Sequence, residues 1–322
     1  MIIYVIKRLL LIIPVVLGVA VLIFTILYFV PGDPATLMLP STATQADIAA
    51  KRAQLGLDQP YLVQLGSFLW NLLRGELGTS YMYGTSVWQE ICLRFPRTLM
   101  YASGCMVLKF LIGLVLGSVA AVHRNKWVDR LCMVVAMFGI SLPDFFVALV
   151  LVLVFALKLQ WLPPLGVGGP EYYILPVIAG SFTGIGVEAR QARSSVLEVI
   201  NADYVTTARA KGLPEWKILI KHILSNALIP VVQLVGNGFG VTLAGAIILE
   251  NVFSLPGMGT YLTAGVQNRD YPIVRGSVVV LAVAFSLVML LVDLSFAFLD
   301  PRIKAQYEAQ GKKRQRGGAK NG

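Results

Sequence analysis

The sequence predicts an all-α polytopic membrane protein with six transmembrane helices and both termini in the cytoplasm. Three observations predict it. Only 14% of the 322 residues are charged and 57% are hydrophobic, whereas a soluble domain carries roughly 25% charged residues. The apolar residues fall in long blocks, most of them near the ~20 residues that a spanning helix needs. Lys and Arg divide unevenly between the loops, the asymmetry that orients a chain in a bilayer.

The first apolar run, residues 9–30, follows Lys7 and Arg8. It exceeds the ~7–15-residue apolar core of a signal peptide and is closed by Pro31-Gly32-Asp33-Pro34, so residues 1–30 are read as a retained first helix. Residues 31–97 are read as an extracytoplasmic helical segment. Within it Asp47–Leu55 has amphipathic spacing, Gly56-Leu57-Asp58-Gln59-Pro60 reads as a helix stop and turn, and Leu62–Leu73 as a second helix. Five further runs follow at residues 98–122, 131–157, 173–188, 227–250 and 276–299. The run 173–188 is the weakest, diluted by Gly180, Gly184 and Gly186. Residues 98–303 thus form a five-helix core, and the basic tail, 304–322, is expected to be disordered and solvated.

Eighteen Lys and Arg fall on the side of the termini and eight on the other, five of these eight in the long segment before residue 98. Short loops carry the orientation signal and long ones little, so both termini are placed in the cytoplasm. The net charge of +10 then reflects basic cytoplasmic loops, and no nucleic-acid partner is expected. Cys92, Cys105 and Cys132 have no spacing that makes a disulfide framework or a zinc site. They are read as structural, and no metal site is expected.

The segment 190–226 is too long for a simple turn. It alternates charged with apolar residues, and Gly212-Leu213-Pro214 divides it into two short helices, with Pro214 suited to the start of the second. Periodicity leaves open whether it docks a partner or lies on the membrane surface.

Within it, Asp203-Tyr204-Val205-Thr206-Thr207-Ala208-Arg209-Ala210-Lys211-Gly212 resembles the EAA loop of ABC importer permeases, most closely the dipeptide, oligopeptide and nickel branch. The family pattern Glu-Ala-Ala-x-x-x-Gly falls on Thr206, Thr207, Ala208 and Gly212. Its Glu is replaced by Thr, as is common in that branch. Pro31-Gly32-Asp33-Pro34, Leu55–Pro60, Gly75–Ser80, Glu250–Gly259 with Arg269-Asp270-Tyr271-Pro272, and Asp300-Pro301-Arg302-Ile303 resemble further blocks of the same family, in order. The resemblance covers residues 1 to about 303 and implies a type I ABC importer fold, with 98–303 as the permease core.

The resemblance further implies that Thr206, Thr207, Ala208, Arg209, Ala210, Lys211 and Gly212 form a coupling helix that docks on a cytoplasmic ATPase. It implies a gate and binding-protein docking region on the other face at Pro256, Gly257, Met258, Gly259, Arg269 and Asp270. The implied partners are a second homologous permease, two ATPase subunits or domains, an extracytoplasmic substrate-binding protein and the lipid bilayer of a bacterial or archaeal cytoplasmic (inner) membrane. The chain has no Gly-x-x-x-x-Gly-Lys-Ser/Thr loop to cradle nucleotide phosphates, nor a Ser/His/Asp or paired-carboxylate constellation. No cofactor is therefore expected in this chain, ATP and Mg are assigned to partner subunits, and the chain is read as a transport subunit rather than an enzyme.

Leu213 and Trp216 are expected to anchor the helix after the coupling helix. Gly113-x-x-x-Gly117 and Gly236-x-x-x-Gly240 permit close helix approach, with contacts inside the chain preferred over contacts with a second permease. Lys109, Asp144 and Asp293 are ionisable residues within apolar runs, which are costly there and face an interior or a cavity. Lys109 and Asp144 either line the pathway and meet the charged ends of a peptide, or pair with each other or a partner chain. The expected cargo is short peptides. The alternative is nickel or a metal chelate, although no His lies in any expected span or outer loop. An ion-coupled secondary transporter is the rival of another class, kept alive by Asp144 alone.

Overall fold

The computed structural model describes residues 2–40 and 42–299. The basic tail and the Asp300–Ile303 block lie outside the described residues. The described residues are mainly helical, with no strand among them beyond one isolated bridge between Thr79 and Ser86.

Helix α1 (Ile2–Phe29) is followed by a short turn of helix, α2 (Pro34–Leu37). Asp33 caps α2, accepting from the Ala35 N–H, and also pairs with Arg52 at 2.7 Å. Helices α3 (Gln45–Leu55) and α4 (Tyr61–Leu73) build the cap. A capping box starts α3: the Thr44 hydroxyl accepts from the Asp47 N–H, and the Asp47 carboxylate accepts from the Thr44 N–H. Such reciprocal bonds satisfy donors that a helix start leaves open. The Thr44 hydroxyl, which also donates to the Asp47 carboxylate at 2.7 Å, and the Thr44 N–H hold the Asp47 carboxyl below the usual carboxylate range. The cap is tied to α1 by the Thr25–Tyr61 hydroxyl contact at 2.7 Å and by Phe24 against Tyr61 and Phe68.

Helix α5 (Val87–Val122) begins well before the apolar run does. Its 36 residues are ~54 Å long at 1.5 Å per residue, enough to join a cluster of Val87, Ile91, Met258 and Ile273 at one end to a cluster of Ala121, Val196, Val205 and Ile218 at the other. The expected single span at 131–157 is broken. Helix α6 (Trp127–Ser141) and helix α7 (Asp144–Leu151), which winds on as a π-helix over Val152–Lys158, meet at 96°. Pro143 disfavours helical geometry at Leu142, and Leu142 is extended. The Leu142 carbonyl accepts from the Thr183 hydroxyl at 3.2 Å.

Helix α8 (Glu171–Val199) is far longer than the weak run at 173–188 and is the most buried span, packed on α5, α6 and α7. Its glycines reflect that burial. The segment 190–226 is therefore mostly continuation of spans: only residues 200–214 lie between them. There stands α9 (Asp203–Ala210). Helix α10 (Glu215–Lys217) passes through a π-helical stretch, Ile218–Leu224, into α11 (Ser225–Val252). Helices α12 (Met258–Gln267) and α13 (Tyr271–Leu299) complete the described residues. Among the described residues five helices are long and apolar enough to cross a membrane, or six with the bent pair α6–α7 taken as one.

Small residues set the packing. A Cβ on Gly113 would lie 2.4 Å from the Glu188 Cβ, and one on Gly117 would lie 2.4 Å from the Ala189 carbonyl oxygen. Only glycine lets α5 and α8 touch at those points. Gly236 and Gly240 likewise receive Val292 and Phe285 of α13. Both motifs are thus used inside the chain. Asp293 pairs with Arg8 at 2.8 Å, joining α13 to α1.

Candidate functional site

Three groups of candidate residues fall in three places. The first is α9, at one end of the molecule. Val205 and Ala208, three apart and so on one face, are buried among Ala121 of α5, Val196 of α8, and Ile218, Ile223 and Ala227 of the α10–α11 rod. Tyr204, Thr206, Thr207, Arg209, Ala210, Lys211 and Gly212 are exposed. The helix thus has one face locked to three spans and one face free. Gly212 sits at φ +75°, and its N–H reaches the Arg209 carbonyl at 2.9 Å while that of Leu213 reaches Ala208 at 3.4 Å. This pair of bonds is a Schellman ending, whose left-handed position favours glycine.

One expectation at α9 changes. Leu213 and Trp216 do not anchor the next helix: they are 38% and 61% exposed, and Ile218 and Ile223 fill that place at 0% and 1%. Arg209 is engaged within its own chain, donating to Glu215 at 2.9 Å and to the Ile200 carbonyl at 3.3 Å, so it braces the turn around Gly212. Lys211 remains exposed.

The second place is the opposite end, around α12. Its organising residue, which no apolar pattern marks, is Glu250, 1% exposed at the end of α11. Its carboxylate accepts from the Thr98 hydroxyl, the Gly259 N–H at 2.7 Å and the Thr260 N–H at 3.2 Å. Thr98 in turn accepts from the Met258 N–H at 2.8 Å, and Arg97 donates to the Pro256 carbonyl at 3.2 Å. Glu250 therefore closes the turn that launches α12. A Cβ on Gly257 or Gly259 would clash with the Glu250 carboxylate, which is why glycine stands there.

Asp270 is 0% exposed and accepts from the Ser80 hydroxyl at 2.6 Å and the Met82 N–H at 3.1 Å. Arg269 folds back over Gly32, where any Cβ would overlap its guanidinium. Gly257, Met258, Gly259 and Asp270 are thus buried and offer no side-chain surface to a partner. Ser254, Val266 and Gln267 are exposed at this end.

The third place is the middle of the helix bundle. Lys109 (α5) and Asp144 (α7) do not pair with each other. Lys109 donates to the Thr242 hydroxyl of α11 at 2.6 Å, and Asp144 accepts from the Thr183 hydroxyl of α8 at 2.6 Å. The Lys109 stem occupies the notch at Gly184, while Glu188 occupies the notch at Gly113. Lys109 and Gly113 are one turn apart on α5, as Gly184 and Glu188 are on α8, so the contacts are reciprocal. Glu188 is 3% exposed, and its Oε2 has no hydrogen-bond partner. Glu188 is the last residue of the run 173–188, beside the basic segment that follows, and nothing in the hydropathy pattern singles it out. Lower on α8, Arg193 grips Asp129 of α6 with two bonds of 2.7 and 2.8 Å.

Comparison with known proteins agrees with this architecture. The family described as "Binding-protein-dependent transport system inner membrane component" matches residues 113–305, and its N-terminal companion matches residues 1–102. The chain is 42% identical over 301 residues to the glutathione transport system permease protein GsiC of Salmonella typhimurium, covering 94% of this chain and 98% of that one. To the protein of the same name from Escherichia coli K12 it is 41% identical over the same length and shares. Among solved structures, an inward-facing form of the MetNI methionine ABC transporter aligns with a TM-score of 0.55 at 17% identity, covering 73% of this chain and 98% of that one. A second crystal form of it aligns with a TM-score of 0.57 at 16% identity, over 66% of this chain and 97% of that one. That likeness concerns the fold, that of a type I importer permease. By sequence and by fold, the chain belongs to the binding-protein-dependent inner membrane permeases, in the dipeptide, oligopeptide and nickel branch of the ABC importers.

Proposed function

We propose that this chain forms one half of the translocation pathway of an ATP-driven importer for short peptides, with both termini in the cytoplasm of a bacterium or archaeon. A second homologous permease completes the pathway. Two ATPase subunits or domains, which bind ATP and Mg, dock on α9, and a substrate-binding protein delivers cargo to the cap end. The single observation that carries the coupling role is the two-faced build of α9: Val205 and Ala208 fixed among three spans, the opposite face exposed. A push on the free face is then a push on α5, α8 and α11 together. The similarity to permeases named for glutathione, itself a tripeptide, supports peptides over nickel as the cargo.

In this scheme Glu250 and the Thr98 hydroxyl hold α12 as the outer gate, and docking falls to the exposed surface near Ser254, Val266 and Gln267. Lys109 and Asp144, with Glu188 beside them, supply charges that meet the ends of a peptide when the bundle opens. The test is co-purification of the tagged chain with its chromosomal neighbours, then ATPase and uptake assays in lipid with short peptides, glutathione and nickel chelates. Stimulation by peptides with the binding protein is expected. Stimulation by the chelate alone would transfer the cargo to nickel, and transport driven by an ion gradient without an ATPase would overturn the scheme. Lys109→Met is expected to lower uptake at unchanged folding; unaltered uptake and affinity with lower stability would remove Lys109 from the pathway.

A further inference from the structure

The cap end holds a cavity that none of these roles uses. It is a half-open pocket of about 270 Å³ where α4, the 76–81 loop and the first turn of α13 meet, just under the roughly 300–1,000 Å³ usual for small-ligand sites. Gln64, Ser67, Asn71, Glu76 and Tyr81 line it, together with one cation, Arg275.

Arg275 is held in an unusual way. Its central carbon lies 4.3 Å from the ring centre of Phe24, 5.4 Å from Tyr271 and 5.5 Å from Phe68. Its Nε is buried without a hydrogen-bond partner, and no ion pair among the described residues includes it. The nearby Asp270 is committed to Ser80 and Met82. Burial raises the pKa of the Tyr81 hydroxyl and the Arg275 charge pulls it back down, so the cation is felt across the cavity wall.

A guanidinium carries five N–H donors in its plane. Aromatic rings attract the cation but give those donors no oxygen to bond. A buried donor without an acceptor is costly; this guanidinium lacks an acceptor, and Glu76, the one carboxylate of the lining, forms no ion pair with it. The planar fork matches a carboxylate with two parallel bonds. Opposite it, the Gln64 amide group donates to the Leu57 and Gln59 carbonyls, which leaves its own oxygen to accept from a ligand N–H.

We propose that this cavity binds the carboxylate of a small ligand of amino-acid or dipeptide size, with Arg275 taking the carboxylate and Gln64, Ser67 and Asn71 the neighbouring polar groups. The site stands apart from the bundle residues Lys109, Asp144 and Glu188. It is independent of what the transporter carries.

The test uses the assembled transporter in nanodiscs of neutral lipid, with glycylglycine and its C-terminal amide as probes in calorimetry. Saturable binding of the free acid is expected, weakened at least tenfold for the amide, for Arg275→Gln and for Asn71→Leu, with Arg275→Lys intermediate and Gly18→Leu, whose Cβ would have nothing within 4 Å, unchanged. Equal binding of acid and amide would overturn the proposal. So would full binding in both Arg275→Gln and Asn71→Leu, or no saturable binding. If phosphatidylglycerol in the disc abolishes dipeptide binding, the cavity belongs to a lipid headgroup and the carboxylate assignment falls. A transporter that binds the carboxylate here yet imports no peptide would overturn the proposed cargo and leave this site standing.

Discussion

At the scale of single residues, buried polar groups hold this bundle in place more visibly than its apolar ones. Glu250 accepts from a hydroxyl and two backbone N–H groups at the entrance to α12. Replacing it by Leu strands those donors, at about 1–3 kcal/mol for each left buried without a partner. Glu250→Leu is thus expected to lower the melting temperature in detergent and raise basal ATPase activity, with Glu250→Gln milder on both. Gly117 gives a simpler case. Its missing side chain is where the Ala189 carbonyl of α8 sits. Gly117→Leu must part the two helices, at about 1–3 kcal/mol for ordinary overpacking and more where backbone opposes backbone. Reduced yield of folded protein by size-exclusion chromatography is the expected result, whereas Gly18→Leu, with nothing within 4 Å of its Cβ, should be silent.

At the scale of elements, α9 is a short helix whose ending matters as much as its length. Gly212→Val puts a β-branched residue at φ +75°, a left-handed position that costs about 1–2 kcal/mol. Eight residues of helix cannot absorb that easily. Peptide-stimulated ATPase activity is expected to fall while the melting temperature of the spans stays near that of the parent. Arg209→Glu separates two roles. It breaks an exposed pair worth about 0–1 kcal/mol, so stability should hold, and the double swap Arg209→Glu with Glu215→Arg restores the pair. Recovered coupling in the double variant would assign Arg209 to bracing its own turn; persistent loss would assign it to the ATPase.

Much of this was legible in the sequence, because apolar runs of spanning length and helix stops such as Gly56 report local physics. Two things were not. Residues 87–97 and 189–199 are helical though polar, since some of their polar groups are satisfied within the helix, as Arg94 is by Glu90, and some from elsewhere in the chain, as Arg193 is by Asp129. Ile218 and Ile223 displaced Leu213 and Trp216 as anchors because the rod starts at Glu215 and its winding decides which face turns inward. Hydrophobicity names candidates for burial, while helix phase, invisible across a π-helical stretch, selects among them.

At the scale of the whole molecule, α5 joins the two ends in a single rod. The Val205 and Ala208 face of α9 meets it near Ala121, and the Met258 turn meets it near Val87. The orientation of that rod is testable. In a variant with Cys92, Cys105 and Cys132 replaced, a cysteine at Glu76 is expected to react with an impermeant maleimide in intact cells, and one at Asn125 only after permeabilisation. The reverse pattern would invert the molecule and remove α9 from the cytoplasm. The bend between α6 and α7 has a consequence for how the protein is made. Helix α6 has 15 residues and α7 has 8 before its winding changes, each short of the ~20 that cross a bilayer. Neither half holds a place in the membrane alone, and the bent Leu142 carbonyl finds its partner, Thr183, only on α8. During synthesis the third span must therefore enter the lipid as one straight segment, or wait beside the insertion machinery. It takes its final shape only after the ribosome has delivered the fourth.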